Sequence, residues 1–267
     1  MYDFHCRKIK FFPEKIGEKI GAVGEYAYMG AGMDVIALAA LALAPGLFWL
    51  WYFIAKGKSG PVSGLPLVRL FFAGALAVPV AVLAEKAAGG RTILLLVVAA
   101  PLIEELLKLA VVAGVTRRRG GPGDPMAGIV CAATVALGFA SAENIYTVVA
   151  AYLAPQLALG ISDPAWAIGM IWKLYLVRAL LTVPGHALWS ALWGYAMGRP
   201  AEGASRFAVA RAWVLAVVLH GLFNLMLINF PPGAAGMLVL VPLTWRLVYR
   251  RIVRAGDIRD EISSSGR

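Results

Sequence analysis

A chain of 267 residues that is 60% hydrophobic and only 15% charged, with apolar stretches of about 18 residues or more, is a polytopic membrane protein. A soluble domain is excluded, because its apolar residues would recur at helical or strand spacing rather than fill whole segments. The net charge of +10 does not call for nucleic acid, since the basic residues fall in short clusters beside hydrophobic spans, and the two cysteines, Cys6 and Cys131, exclude a disulfide framework or a paired-cysteine metal site.

Residues 1–32 form a basic tail. Phe11, Phe12, Ile16, Ile20 and Val23 recur near helical spacing beside Lys10, Lys15 and Lys19, which suits either an interfacial amphipathic helix or a solvated tail. No charged segment leads into a short apolar core with a small-residue cleavage site, so no cleaved signal peptide is expected. The membrane domain, 33–250, contains apolar segments at 34–54, 65–84, 92–116, 126–152, 171–198, 207–230 and 235–249. These predict an all-α bundle of about seven transmembrane helices, with six and eight as bounds. Residues 251–267 read as a polar C-terminal tail.

The positive-inside rule assigns four basic connections to the cytoplasm: Lys56 to Lys58, Arg117 to Arg119, Arg199 to Arg211, and the group Arg246, Arg250, Arg251 and Arg254. The loops around Asp163 and Pro231-Pro232 lack Lys and Arg and fit the outer face. Seven crossings with a cytoplasmic C-terminus put the N-terminus outside, yet residues 1–32 carry five Lys or Arg. Either the first segment, interrupted by Pro45-Gly46, is not a simple crossing, or the tail departs from the rule. No internal repeat is evident, which argues against an inverted-repeat transporter.

Four polar clusters interrupt the apolar spans. The first is Glu104-Glu105-x-x-Lys108. Ionisable groups at the centre of a membrane helix cost about 2.5–3.5 kcal/mol each on insertion scales, so such a cluster points to function. Glu104 lies thirteen residues from Arg91 and Glu105 twelve from Arg117, about 18–20 Å in each case, which places them near the bilayer midplane. Glu104 and Lys108 share a face at i,i+4; Glu105 points about 100° away and lacks a partner there. Pro101, one turn earlier, loosens the helix and opens room for water or a substrate backbone.

The second cluster is Glu143-Asn144, where the carboxylate suits a metal ligand, a water-positioning group or the counter-charge to Arg178. The third joins Arg178 to Pro184-Gly185-His186, and the fourth is His220-x-x-x-Asn224, an imidazole and an amide on one helix face. His220 is nine residues from Arg211 and eleven from Pro231, level with the glutamates at about 14–16 Å from either helix end.

A buried carboxylate can act as general base, activating water for attack on a carbonyl, while imidazole and amide N–H groups stabilise the oxyanion. Peptide-bond hydrolysis within the membrane suits this set. Ser141 and Ser190 have no aspartate placed to complete a triad. No HExxH motif occurs, although Glu143, His186 and His220 form a possible two-histidine, one-carboxylate zinc site. The favoured reading is metal-free. Buried charges are also compatible with a proton-coupled transporter or channel, or with an inert receptor or scaffold.

Glu104-Glu105-x-x-Lys108, Phe139-Ala-x-x-Glu143-Asn144, Pro184-Gly185-His186-Ala-Leu-Trp189 followed by Gly194-Tyr195-Ala196, and His220-Gly-Leu-Phe-Asn224 together resemble the PrsW family of intramembrane proteases over residues 101–224. That family is similar to a wider group, including type II CAAX prenyl proteases and Abi proteins, with the pattern EExxxR, FxxxH and HxxxN. Here Lys108 comes one position early and Glu143 replaces a histidine, departures that favour PrsW. The resemblance implies an intramembrane endopeptidase of the bacterial cytoplasmic membrane that cuts a single-pass protein such as an anti-sigma factor. On this reading Glu104 and Glu105 are the general-base candidates, assisted by His186 or His220. His220 and Asn224 form the oxyanion site, and Lys108, Glu143, Asn144 and Arg178 support it.

Overall fold

Lipid offers no partner to a bare N–H or C=O, so long apolar segments close their backbone hydrogen bonds internally as helices. The computed structural model describes residues 35–57, 65–89, 93–159, 164–199, 206–229 and 231–265, and among these there are helices and no strands. They are α1 (Val35–Lys56), α2 (Leu65–Ala87), α3 (Ala100–Thr116), α4 (Pro125–Leu159), α5 (Pro164–Val177), α6 (Val183–Met197), α7 (Arg206–Ile228) and α8 (Ala234–Ser265). Because α5 and α6 join through the π turn Arg178–Thr182, the helices form seven rods, the expected all-α bundle. Val35–Lys56, Pro66–Ala87, Pro125–Leu153 and Phe207–Ile228 are long and apolar enough to cross a membrane. The remaining rods carry the buried or terminal charges.

The sequence reading is corrected at several points: α4 runs on to Leu159 rather than 152, and α5 begins at Pro164 rather than 171. The first segment is one continuous helix through Pro45-Gly46, both buried. At the other end α8 continues past 249 to Ser265, because Val248, Ile252 and Ala255 keep an apolar face against the bundle core. The tail 1–32 lies outside the described residues.

At the centre is α4, buried from Pro125 to Ser141 and packed by α1, α2 and α6. Close approach depends on glycine: a Cβ at Gly138 would strike the Phe71 carbonyl of α2, and one at Gly128 the Gly194 carbonyl of α6. Small residues permit such contacts between membrane helices. Outward faces are apolar, as Leu76, Leu83, Val214 and Val218 show.

Prolines shape the two helices that carry the site. Pro101 and Pro184 have no N–H to offer the preceding turn, and each follows a π turn, Leu95–Ala99 and Arg178–Thr182. In π register the missing donors belong to the carbonyls of Leu96 and Ala179. Side chains from other helices replace them: Asn224 Nδ2 donates to Leu96 O at 3.0 Å, and Trp49 Nε1 to Ala179 O at 3.1 Å. The loosened turn before Pro101 is thus tied to α7.

Candidate active site

Lys108 of α3 is fully buried. Its ammonium lies 3.2 Å from Glu104 Oε2, 2.8 Å from Glu105 Oε1 and 2.9 Å from His186 Nδ1, with the Phe139 ring 4.5 Å away. Three donors meet three acceptors. The unpartnered Glu105 expected from helical geometry is therefore corrected: a long lysine side chain reaches both i−3 and i−4 from one face. Because Lys108 donates to Nδ1, the His186 proton belongs on Nε2, which faces Glu143 Oε2 at 3.2 Å.

The two glutamates occupy different surroundings. Glu105 is completely buried, and its Oε2 accepts from Ser190 Oγ at 2.8 Å and Trp193 Nε1 at 3.0 Å while Oε1 takes Lys108. His220 Nδ1 lies 3.4 Å from the same Oε1 without hydrogen-bond alignment. Glu104 keeps 12% of its side chain exposed, and its Oε2 stands 3.7 Å from His186 Nδ1 and 3.9 Å from His220 Nε2. One carboxylate has both oxygens taken by donors; the other faces both imidazoles.

His186 and His220 meet edge to face, with centroids 4.9 Å apart, and Trp189 stacks on His220 at 4.4 Å. Behind His186, Glu143 Oε1 lies 3.1 Å from Arg178 Nη2, Arg178 Nε donates to Asn144 Oδ1 at 2.7 Å, and Asn144 Nδ2 donates to Ala42 O at 2.5 Å. Glu143 is thus the counter-charge to Arg178 and a partner of His186 at once. Asn224 sits one turn beyond His220, anchored to Leu96 O.

Sequence reasoning gave no site role to Ser190, Trp189, Trp193 or Glu85. The first three fall at i+4, i+3 and i+7 from His186, one helical face that spacing alone reveals. Glu85, half-buried near the end of α2, feels the charges of Glu104 and Glu143, and no sequence spacing signals this.

Among the described residues one group of three potential ligands has atoms within 4.8 Å of one another: Glu104, His186 and His220. This differs from the expected Glu143, His186 and His220, because Glu143 is drawn to Arg178 and the Nε2 edge of His186 while Glu104 faces His186 Nδ1. Tetrahedral zinc holds such ligand atoms about 3.3 Å apart; Glu104 Oε2 stands 3.7 and 3.9 Å from the two imidazoles and the whole group lies within 4.8 Å, so the three side chains must draw together to bind an ion. The donor set fits a two-histidine, one-carboxylate site once Lys108 leaves His186 Nδ1.

The family model described as PrsW family intramembrane metalloprotease matches residues 63–247, which include every residue of this cluster. The chain belongs to the PrsW family. It is 28% identical to "Protease PrsW" of Geobacillus kaustophilus (strain HTA426), over 83% of this chain and 93% of that protein. It is 25% identical to "Protease PrsW" of Bacillus subtilis (strain 168), over 84% of this chain and 98% of that protein. No solved structure matches the chain. As a PrsW family member the chain is an integral membrane protein and an intramembrane protease.

Proposed function

We propose that the cluster of Glu104, Lys108, His186 and His220 hydrolyses a peptide bond in or beside the membrane-spanning segment of a single-pass protein, with an anti-sigma factor as the substrate class. The observation that carries this reading is the unequal environment of the paired glutamates. Glu105 is fully buried with both oxygens engaged, so it holds Lys108, Ser190 and Trp193 in place. Glu104, open on one side and flanked by both histidines, takes a proton from water as the oxygen bonds to the carbonyl carbon. Lys108 orients Glu104 through its 3.2 Å contact with Oε2. His220 donates from Nε2, the ring nitrogen on the Glu104 side, to the developing oxyanion. Asn224 supplies the second donor through the amide proton that does not bind Leu96 O. Glu104 then returns the proton to the leaving amine as the C–N bond breaks.

A second reading is favoured by the proximity of Glu104, His186 and His220. These three would hold a divalent cation, which supplies Lewis acidity and a more acidic water when bound. Cleavage of a single-pass substrate by purified protein in detergent, with metal content measured on the same sample, tests both. Turnover at far below one metal per chain, lost in Glu104→Gln, supports the general-base role. One zinc per chain, with activity lost on chelation and restored by zinc, reassigns Glu104 as a ligand.

A further inference from the structure

Away from the catalytic cluster, where α6 ends, a cavity of about 790 Å³ opens between α6, α7 and α8. Among the described residues Arg199, Arg211, Arg250, Arg251 and Arg254 line it, with one carboxylate, Asp257. Two connections far apart in sequence, both assigned to the cytoplasmic side by the positive-inside rule, converge here. Tyr195 in its wall lies nine residues beyond His186, about 14 Å along the rod, so this is a separate site.

The cavity is built around Arg251. Its Nη1 donates to Leu192 O at 2.8 Å and its guanidinium lies 5.5 Å from the Tyr195 ring, fixing one cation in the wall. Among the described residues the side chains of Arg199, Arg211, Arg250 and Arg254 have neither an ion pair nor a hydrogen bond, and Asp257 pairs with none of them. Four guanidinium groups in one concavity, paired by no described residue, match a phosphate, whose oxygens accept forked N–H pairs.

Arg211 also borders a second, apolar hollow of about 670 Å³ on the outer face of α7, formed with Phe207, Ala210 and Val214. Cationic pocket and lipid-facing groove therefore meet at one residue. We infer that the α6–α8 pocket binds an anionic glycerophospholipid, its phosphate among the arginines and an acyl chain along Phe207 and Val214. Basic pockets between membrane helices on the cytoplasmic side take phospholipid headgroups for this reason. A soluble phosphate would satisfy the arginines but leave the groove empty.

The full chain in neutral detergent, titrated with phosphatidylglycerol, phosphatidylcholine and soluble glycerol 3-phosphate, tests this, with bound lipid counted by intact-complex mass spectrometry. Phosphatidylglycerol should bind at least about tenfold tighter than phosphatidylcholine, and Arg211→Gln/Arg254→Gln should weaken it by about 25-fold, roughly fivefold per arginine. Arg211→Lys/Arg254→Lys, which keeps the charge, should retain most of the binding and shows that the bundle tolerates change at these exposed positions. Equal affinity of wild type for the two lipids, or undiminished phosphatidylglycerol binding by the glutamine variant, overturns the site. Glycerol 3-phosphate binding as tightly as the lipid overturns the lipid assignment in favour of a free phosphate. Displacement by an equimolar acidic peptide overturns it in favour of a substrate's juxtamembrane segment.

Discussion

Replacing each of the paired glutamates by glutamine should separate catalysis from folding. Every hydrogen-bond partner of the Glu105 side chain is a donor: Lys108 Nζ at 2.8 Å, Ser190 Oγ at 2.8 Å and Trp193 Nε1 at 3.0 Å. Glutamine has one acceptor oxygen, so its NH₂ must face either the buried ammonium or the Ser190 and Trp193 pair. Ser190 can rotate its proton away; neither the indole nor the ammonium can. An orphaned buried donor costs about 1–3 kcal/mol, and breaking a buried ion pair about 3–5 kcal/mol. Because Lys108 keeps Glu104 and His186, the combined loss in Glu105→Gln should be about 3 kcal/mol, or roughly 6–12 °C in unfolding midpoint for a chain of this size. Glu104 is partly open and bonded only to Lys108 at 3.2 Å, so Glu104→Gln can turn its oxygen to the ammonium and should cost about 1 kcal/mol. Its turnover should nevertheless fall by about 10²–10⁴-fold, the contribution of a general base. Thermal unfolding in detergent and cleavage of a single-pass substrate, on the same preparations, read both effects. A Glu105→Gln protein as stable as wild type, or a folded Glu104→Gln protein with near-normal turnover, would refute the division of roles.

Asn224→Ala should lower kcat by about 10²–10³-fold with little change in KM if its free amide proton serves the oxyanion; a rise in KM alone assigns it to substrate positioning. Lys108→Met removes the cation that holds Glu104 Oε2 and His186 Nδ1, so activity should vanish in the metal-free enzyme, whereas increased zinc affinity by titration would show that lysine and metal compete for those lone pairs. Gly138→Ala, whose new methyl meets the Phe71 backbone carbonyl, should destabilise the bundle by about 3 kcal/mol, because a whole helix must shift. Gly114→Ala, with nothing within 4 Å of its Cβ, should instead stabilise α3 by up to about 1 kcal/mol in the same unfolding assay.

The all-α membrane class, seven rods and the four polar clusters were legible in the sequence, because the cost of burying backbone and charge in lipid acts on each segment locally and leaves its mark in composition. Spacing along one helix also paired Glu104 with Lys108 and placed Asn224 one turn beyond His220. What spacing could not express was which lone pair each group would spend on another helix. Only the packing of α3 against α6 and α7 gave Glu105 its donors from Ser190 and Trp193 and left Glu104 between two imidazoles. The same packing drew Glu143 to Arg178 and so put Glu104 in the potential metal group in its place. Nor did the arginines of 199–211 and 246–254 betray that they enclose one cavity. Composition reports what each segment must avoid, whereas the partners of a buried charge are set by the contacts between segments, and those exist only once the bundle has closed.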